Sequence, residues 1–573
     1  MKTFFLFLLV LSSLIKGYSQ SGQAYSIYRL PLNLPAELSS MYGEIRLNHF
    51  HYGIDYRTGS REGLPVTAIA DGYVSRIKID EMGYGRAIYV DHPATGHTSV
   101  YAHLSAFPPV LSRYVLNKQY EKQSFVIDLF LEPGMFPVRK GDTIGFSGNS
   151  GGSTGPHLHF EIRDRKTQDS YNILPSPLLP EDTRQPVFTS LYLYPCEGGK
   201  INGNTTPVAY RVIARDSLYV LDKKDTIKVC GKTGIGISAF DYLNNSTRHF
   251  SSLYRVKLWA DNKLVYHHQL DRLAFNEVRY INSIIDYDAY LNRGLKIYRL
   301  YRLPGNHISS FYRVLENDGY LTIADEKVHK IECEVEDIAG NRSKLIFYLS
   351  GSPCQQVIPE NQAGIPVAWN EDNVITLPGI KINIPKNALY ENLSLLIDTF
   401  PRTEGLYSKI FSVHTPAVPI HTSIILSIAA PFLPDSLQSK ACVIEIGKKG
   451  EMISWNGKWE AGMVQARIRN FGKFAVTADT TPPSIVPVNI SPKAVMSHQH
   501  FILFRIKDTL SGIQSYNGYI DGKWALFEYD PKKNALTHYF DSTRITFGQW
   551  HKLKLVVTDN KENKSIYEAD FLK

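Results

Sequence analysis

Ten residues constrain this chain more than any others: Ser153-Thr154-Gly155-Pro156-His157-Leu158-His159-Phe160-Glu161-Ile162. A tight Gly/Pro turn runs straight into alternating side chains, the pattern of a β-strand. Strand side chains alternate faces, so His157 and His159 share one face while Leu158 and Phe160 point into the opposite layer. Two imidazoles side by side, fed by a glycine-rich loop, suit metal chemistry. Geometry alone leaves them equivalent as candidate ligands.

The same short alternation recurs along the chain, interrupted by Gly, Pro and Asp-Gly turns, and long heptad patterns are absent. Tyr (35) and Phe (27) are plentiful, which adds to the β preference. The expected class is all-β: a compact antiparallel domain followed by tandem β-sandwich modules. With 573 residues the chain has room for about three to five domains of roughly 100–200 residues. The divisions expected are 20–180, 185–351, 355–477 and 480–573. The proline-rich stretch from Pro175 to Pro186 and the linker Asp479-Thr480-Thr481-Pro482-Pro483 mark two of the boundaries. Within 106–138, a less regular insertion, Leu111 to Glu121 reads as a short helix and Ser124 to Leu131 as a strand.

A weak internal repeat links the second and fourth regions. His329-Lys330 precedes Asp337 and Asn341, and His551-Lys552 precedes Asp559 and Asn563 at the same spacings. Recurring strand-and-turn units of this kind suggest immunoglobulin-like sandwiches. Strand-end Asp and Asn serve turns, which accounts for these residues without a metal.

Residues 1–19 read as a signal peptide, with Lys2 before an apolar run from Phe4 to Ile15 and small residues ahead of Gln20. The run is short for a membrane span, and no later stretch is apolar enough to cross one. The mature chain is therefore expected to be exported, to a periplasm, cell envelope or extracellular space. Losing Lys2 and Lys16 lowers the formal charge from +8 to +6, spread without blocks, which argues against a nucleic-acid partner. The five cysteines (Cys196, Cys230, Cys333, Cys354, Cys442) include no C-x-x-C pair, which excludes a cysteine zinc site. One or two disulfides within the first four are compatible with export, and buried free thiols equally so.

The chemistry gathers within 49–161. His51 and Asp55 lie four apart with Gly53 between them, so a bent segment can bring both to one ion. His103 ends the strand-like run Thr98 to Leu104. A catalytic zinc takes three protein ligands of His or carboxylate type and keeps one position open for water, whose pKa it lowers. His49, His92 and His97 read as packing or surface residues, and Asp71 and Asp91 as turn residues.

The segments His51-Tyr52-Gly53-Ile54-Asp55, Tyr101-Ala102-His103-Leu104-Ser105 and Ser153 to Glu161 together resemble the lysostaphin/LytM-type zinc metallopeptidases. Gly63-Leu64-Pro65-Val66 and Gly141-Asp142-Thr143-Ile144-Gly145 add to the likeness, which covers about residues 43–165. The resemblance implies Zn2+ held by His51, Asp55 and His159, with His103 and His157 as catalytic histidines. It implies an endopeptidase hydrolysing peptide bonds in peptidoglycan stem peptides or cross-links. The insertion at 106–138 lengthens the loop after His103 and would reshape a substrate groove. The β-sandwich modules would bind, space or position the enzyme, or meet envelope protein partners. Two other functions stay open: a non-catalytic envelope scaffold or amidase activator, and a peptidase acting on exported proteins.

Overall fold

In a computed structural model of the chain, residues 27–573 are described apart from 174–176, 224, 244–249 and 354–363. The signal-peptide reading and Cys354 lie outside the described residues. The fold is all-β. The first region is built on a ten-stranded sheet. Nine of its strands come from this region, β1 (Leu38–Ser40), β2 (Ile54–Arg57), β3 (Gly72–Ile79), β4 (Arg86–His92), β5 (His97–Leu104), β6 (Ile127–Phe130), β7 (Pro137–Val138), β8 (His157–Asp164) and β9 (Ser170–Tyr171), and the tenth is Arg272–Leu273 from the second region. They lie in the order β1-β2-β8-β5-β4-β3-β7, with β6 also on β3 and β9 also on β8. The last strand in the sequence to join the main path, β8, thus sits between β2 and β5, and both pairings are antiparallel.

Register makes this arrangement functional. His159 lies opposite Asp55 on one side and Ala102 on the other. Directly opposed residues in neighbouring strands point to the same face, so β8 carries His157 and His159 onto the face that also holds Asp55. The other face of β8 is apolar: Leu158 and Phe160 are fully buried, with Phe160 packed against Tyr101 and Tyr56.

The 106–138 insertion holds a helix, α1 (Pro109–Lys122), and the edge strand β6. Its helix is a docking surface for the C-terminal region. Arg544 lies 3.7 Å from the Tyr120 ring centroid, Trp524 meets Tyr120 edge to face, and Arg544 Nη2 donates to Asn117 Oδ1. Nearby, Arg86 pairs with Glu528 at 2.6 Å, and Lys532 Nζ donates to the carbonyls of Asn149 and Ser153 in the glycine-rich loop.

The second region has a twelve-stranded sheet whose long strands are Val187–Ile201 and Ile227–Tyr242. It is not a bead on a string. A single buried apolar core runs from Tyr28 through Leu349, and β9 pairs antiparallel with the strand Arg272–Leu273. Residues 365–478 and 490–571 each enclose a separate core between two sheets of four or five strands. Cys230 is disulfide-bonded, whereas Cys196, Cys333 and Cys442 are free thiols. Asp91 is not a turn residue: it sits in β4 and accepts from Ser75 Oγ and Thr98 Oγ1.

Gly53 and Gly155 flank the site, and their surroundings differ. A Cβ on Gly53 would stand 2.3 Å from the Phe160 carbonyl oxygen and 3.0 Å from His159 Cε1, whereas one on Gly155 would meet nothing within 4 Å. Overpacking a closed site costs about 1–3 kcal/mol. Gly53→Ala should therefore destabilise the fold by that order, read as a lower urea midpoint, whereas Gly155→Ala should leave the midpoint unchanged.

Candidate active site

Three ligand atoms meet at the centre of the sheet face. His51 Nε2 lies 3.0 Å from His159 Nδ1 and 3.1 Å from Asp55 Oδ1, and His159 Nδ1 lies 2.9 Å from the same Oδ1. All three residues are buried. Asp55 and His159 are fixed by register between β2 and β8. His51 arrives from the turn before β2, and Gly53 lets that turn pass close under β8.

The hydrogen bonds behind the imidazoles decide what they present. His51 Nδ1 is 2.8 Å from the Met41 carbonyl oxygen, an obligate acceptor, so Nδ1 carries the proton and Nε2 turns its lone pair inward. His159 Nε2 is 2.8 Å from Glu161 Oε1, which fixes that N–H outward and leaves the Nδ1 lone pair facing His51 and Asp55. Two lone pairs and a carboxylate oxygen face one another at about 3 Å. Such a cluster is repulsive unless positive charge joins it. Burial works against a charged His159, but its hydrogen bonds with Asp55 and Glu161 outweigh burial and lift its pKa to about 9. Burial works against an ionised Asp55 too, yet the three histidines around it hold its carboxyl well below the usual range. A proton meets the demand for positive charge, and a metal ion that displaces it meets it better.

The donor set fits zinc. Ligand distances of 2.0–2.1 Å around a tetrahedral ion place ligand atoms about 3.3–3.4 Å apart, so the 2.9–3.1 Å triangle opens by only a few tenths of an ångström. Histidine and carboxylate are accepted zinc ligands, and the outward N–H to carboxylate or carbonyl is the usual support of a metal-bound imidazole.

His103 and His157 stand beside this triangle. Their ring centroids are 4.8 Å apart, and His103 is 5.8 Å from the His159 ring. His103 Nδ1 donates to the Ser150 carbonyl and His157 Nδ1 to the Gly155 carbonyl, so the glycine-rich loop orients both rings. His157 Nε2 approaches Asp55 Oδ1 at 3.5 Å. His103 adopts φ +60°, a strained value for a non-glycine residue that here turns the imidazole into the site. Burial, and then the neighbouring His159 and His157, push its pKa down to about 3, so its ring is neutral at any working pH.

The other histidines go elsewhere. His49 is exposed, His92 is bonded to the Asp71 carbonyl and Ser99, and His97 is bonded to Tyr28. The sequence reading gave no role to Glu161, Arg163, Tyr84 or Arg46. Glu161 is fully buried and ties His159 to Arg163 at 2.7 Å and to Tyr84 at 2.5 Å. Arg163 in turn lies 4.3 Å from the Phe275 ring centroid, contributed by the second region. Arg46 Nη2 holds the outer oxygen of Asp55 at 3.2 Å. Alternation gives the missed signal for Glu161, which is two residues beyond His159 on the same face.

Loss of a carboxylate that supports a metal-bound histidine costs about 10–100-fold in metal affinity. Glu161→Gln keeps the shape and should weaken zinc binding by that factor, read by competition with a chromogenic chelator.

Two stretches of the chain match known protein families. Residues 49–115 and 131–172 match Peptidase family M23, and residues 365–479 match the Zu5-like domain. The gap in the first match, 116–130, covers the second half of α1 and the whole of β6. A DD-carboxypeptidase/endopeptidase Mpg of Neisseria meningitidis serogroup B is 39% identical over 113 residues, 20% of each chain. An uncharacterized metalloprotease of Haemophilus influenzae is 32% identical over 153 residues, 25% of this chain and 27% of that one. The chain thus spans only about a fifth to a quarter of the curated relatives it matches. The catalytic domain of lysostaphin from Staphylococcus simulans aligns with 23% of this chain and 82% of its own length, at 27% identity and a TM-score of 0.18. The region that builds the histidine site is a peptidase domain of the M23 zinc metallopeptidase family, with a Zu5-like domain further along the chain.

Proposed function

We propose that this chain is an exported zinc endopeptidase that cleaves peptide bonds in peptidoglycan stem peptides or cross-links. The observation that carries the reading is the convergence of His51 Nε2, Asp55 Oδ1 and His159 Nδ1 at about 3 Å, with each imidazole proton tied off behind. Support for the substrate class comes from the Neisseria relative, whose name is that of a DD-carboxypeptidase/endopeptidase. Among the described residues no helix is long and apolar enough to cross a membrane.

In this reading His51, Asp55 and His159 hold the metal, which supplies Lewis acidity to a carbonyl and acidifies a water. The remaining work falls to the protein's own groups. His103, neutral and anchored on Ser150 through Nδ1, offers Nε2 as a proton acceptor to the attacking water. His157, anchored on Gly155, points Nε2 toward the same space and is placed to hold the oxyanion or return a proton to the leaving amine. Arg46, on the outer oxygen of Asp55, keeps that carboxylate turned toward the histidines. The C-terminal region, seated on the glycine-rich loop through Lys532, helps to fix the carbonyls that orient both catalytic rings.

Removing a positioned acid–base group costs about 10²–10⁴-fold in rate. His157→Ala and His103→Ala should keep stoichiometric zinc and lose turnover by that range, whereas His159→Ala should lose zinc itself. Zinc is read by elemental analysis, and turnover by mass spectrometry of fragments released from purified sacculi. Undiminished release by zinc-free His159→Ala protein would exclude the mechanism. Intact zinc without any peptide product from sacculi would exclude the substrate.

A further inference from the structure

The repeated Asp-x-x-x-Asn turns have no part in the peptidase reading. Their upstream histidines face other partners: His329 is paired with Asp261 and Asp325, and His551 with Asp521. The turns share their bonds to the Asn and differ by one residue in the second main-chain donor. Asp337 Oδ1 accepts from the main-chain N–H of Gly340 and Asn341, and its Oδ2 from Asn341 Nδ2. Asp559 Oδ1 accepts from Lys561 and Asn563, and its Oδ2 from Asn563 Nδ2.

Each Asn then reaches a second aspartate. Asn341 Nδ2 donates to the carbonyl of Asp182, and Asn563 Nδ2 to that of Asp479. Asp182 and Asp479 each stand five residues ahead of the next strand, Val187–Ile201 and Ser484–Pro487. A third aspartate completes each group: Asp241 near the end of Ile227–Tyr242, and Asp508 just after Phe501–Lys507. One oxygen from each member lies within 4.8 Å of the others, both in Asp182/Asp241/Asp337 and in Asp479/Asp508/Asp559.

Turn chemistry explains the hydrogen bonds but not the oxygens left over. Asp241 is 4% exposed, and its Oδ1 is sealed from solvent with no hydrogen-bond partner. Asp508 Oδ1 is also sealed and unpartnered. A buried carboxylate oxygen without a donor is costly, and two further carboxylates beside it raise the cost. Of the basic side chains close by, Lys561 Nζ donates to the Gly457 carbonyl and the Arg184 guanidinium lies over the Tyr242 ring.

We propose that each aspartate triad is a Ca2+ site that ties the entry of its β-sandwich to the strand end and turn beside it. The donors are all oxygen, which suits a hard cation, and Ca2+ tolerates the irregular geometry of carboxylates from three separate segments better than Mg2+ does. The first ion would fix the passage into the second region, and the second the passage from the Zu5-like domain into the last.

The test is Ca2+ uptake by the full chain at constant zinc, measured by equilibrium dialysis with radioactive Ca2+. Two ions should bind, with dissociation constants of about 10⁻⁴–10⁻³ M, the range of extracellular modules. Asp241→Asn and Asp508→Asn should each lose one ion, and the double variant both, with zinc content unchanged. Thermal unfolding of the wild type should shift upward with Ca2+, and this shift should vanish in the double variant. If a variant fails to fold, the wild-type titration still decides. No saturable Ca2+ uptake up to about 10 mM, preference for Mg2+, or uptake that survives the double substitution would each overturn the proposal.

Discussion

The molecule's chemistry depends on one electrostatic constraint: lone pairs of His51, His159 and Asp55 are made to face one another in a buried space. Without a proton or a metal ion, nothing in the triangle itself stabilises that arrangement. It is imposed from behind, by the Met41 carbonyl on one imidazole and by Glu161 on the other. Glu161 is in turn a fully buried carboxylate, which would be costly alone. Arg163 and Tyr84 satisfy it, and Phe275 covers Arg163. A chain of charge compensation therefore runs from the metal site outward into the second region.

The sheet supplies the ruler for this chemistry. Placing β8 between β2 and β5 puts His159 level with Asp55, and a shift of one residue would turn both histidines of β8 into the apolar layer. His103 and His157 are held by the loop 148–155, whose carbonyls accept their Nδ1 protons. The same loop accepts Lys532 from the far end of the sequence. The catalytic face is thus braced by parts of the chain hundreds of residues away, and the regions beyond the peptidase domain contribute to its shape as well as to its length. The insertion at 106–138 belongs to this brace, since its helix is where the last region docks.

Much of this was legible in the residues. The alternation in β8, the short His51/Asp55 spacing and the repeated turn signals specified an all-β chain and a face carrying candidate metal ligands, because strand period and turn chemistry are local properties. The helix and edge strand of the insertion were readable for the same reason. Glu161 was within reach of the same alternation but went unread, because a carboxylate on a strand face is uninformative until a partner is known. The metal-site status of the Asp337 and Asp559 turns was discounted in favour of turn chemistry, and the turns do make those bonds. The remaining ligand candidates sit far away in sequence, at Asp182, Asp241, Asp479 and Asp508.

The sequence by itself determined which residues could share a face and which segments could turn, since these follow from backbone period and from Gly, Pro, Asp and Asn chemistry. Residue pattern alone left the two adjacent imidazoles equivalent and the family resemblance pointed to His159; only the tertiary structure supplies the physical reason that His159 meets His51 and Asp55 while His157 leans over them. That choice rests on strand register, a pairing of segments about a hundred residues apart, which sets His159 level with Asp55 while local bonds to Glu161 and Gly155 turn the two rings.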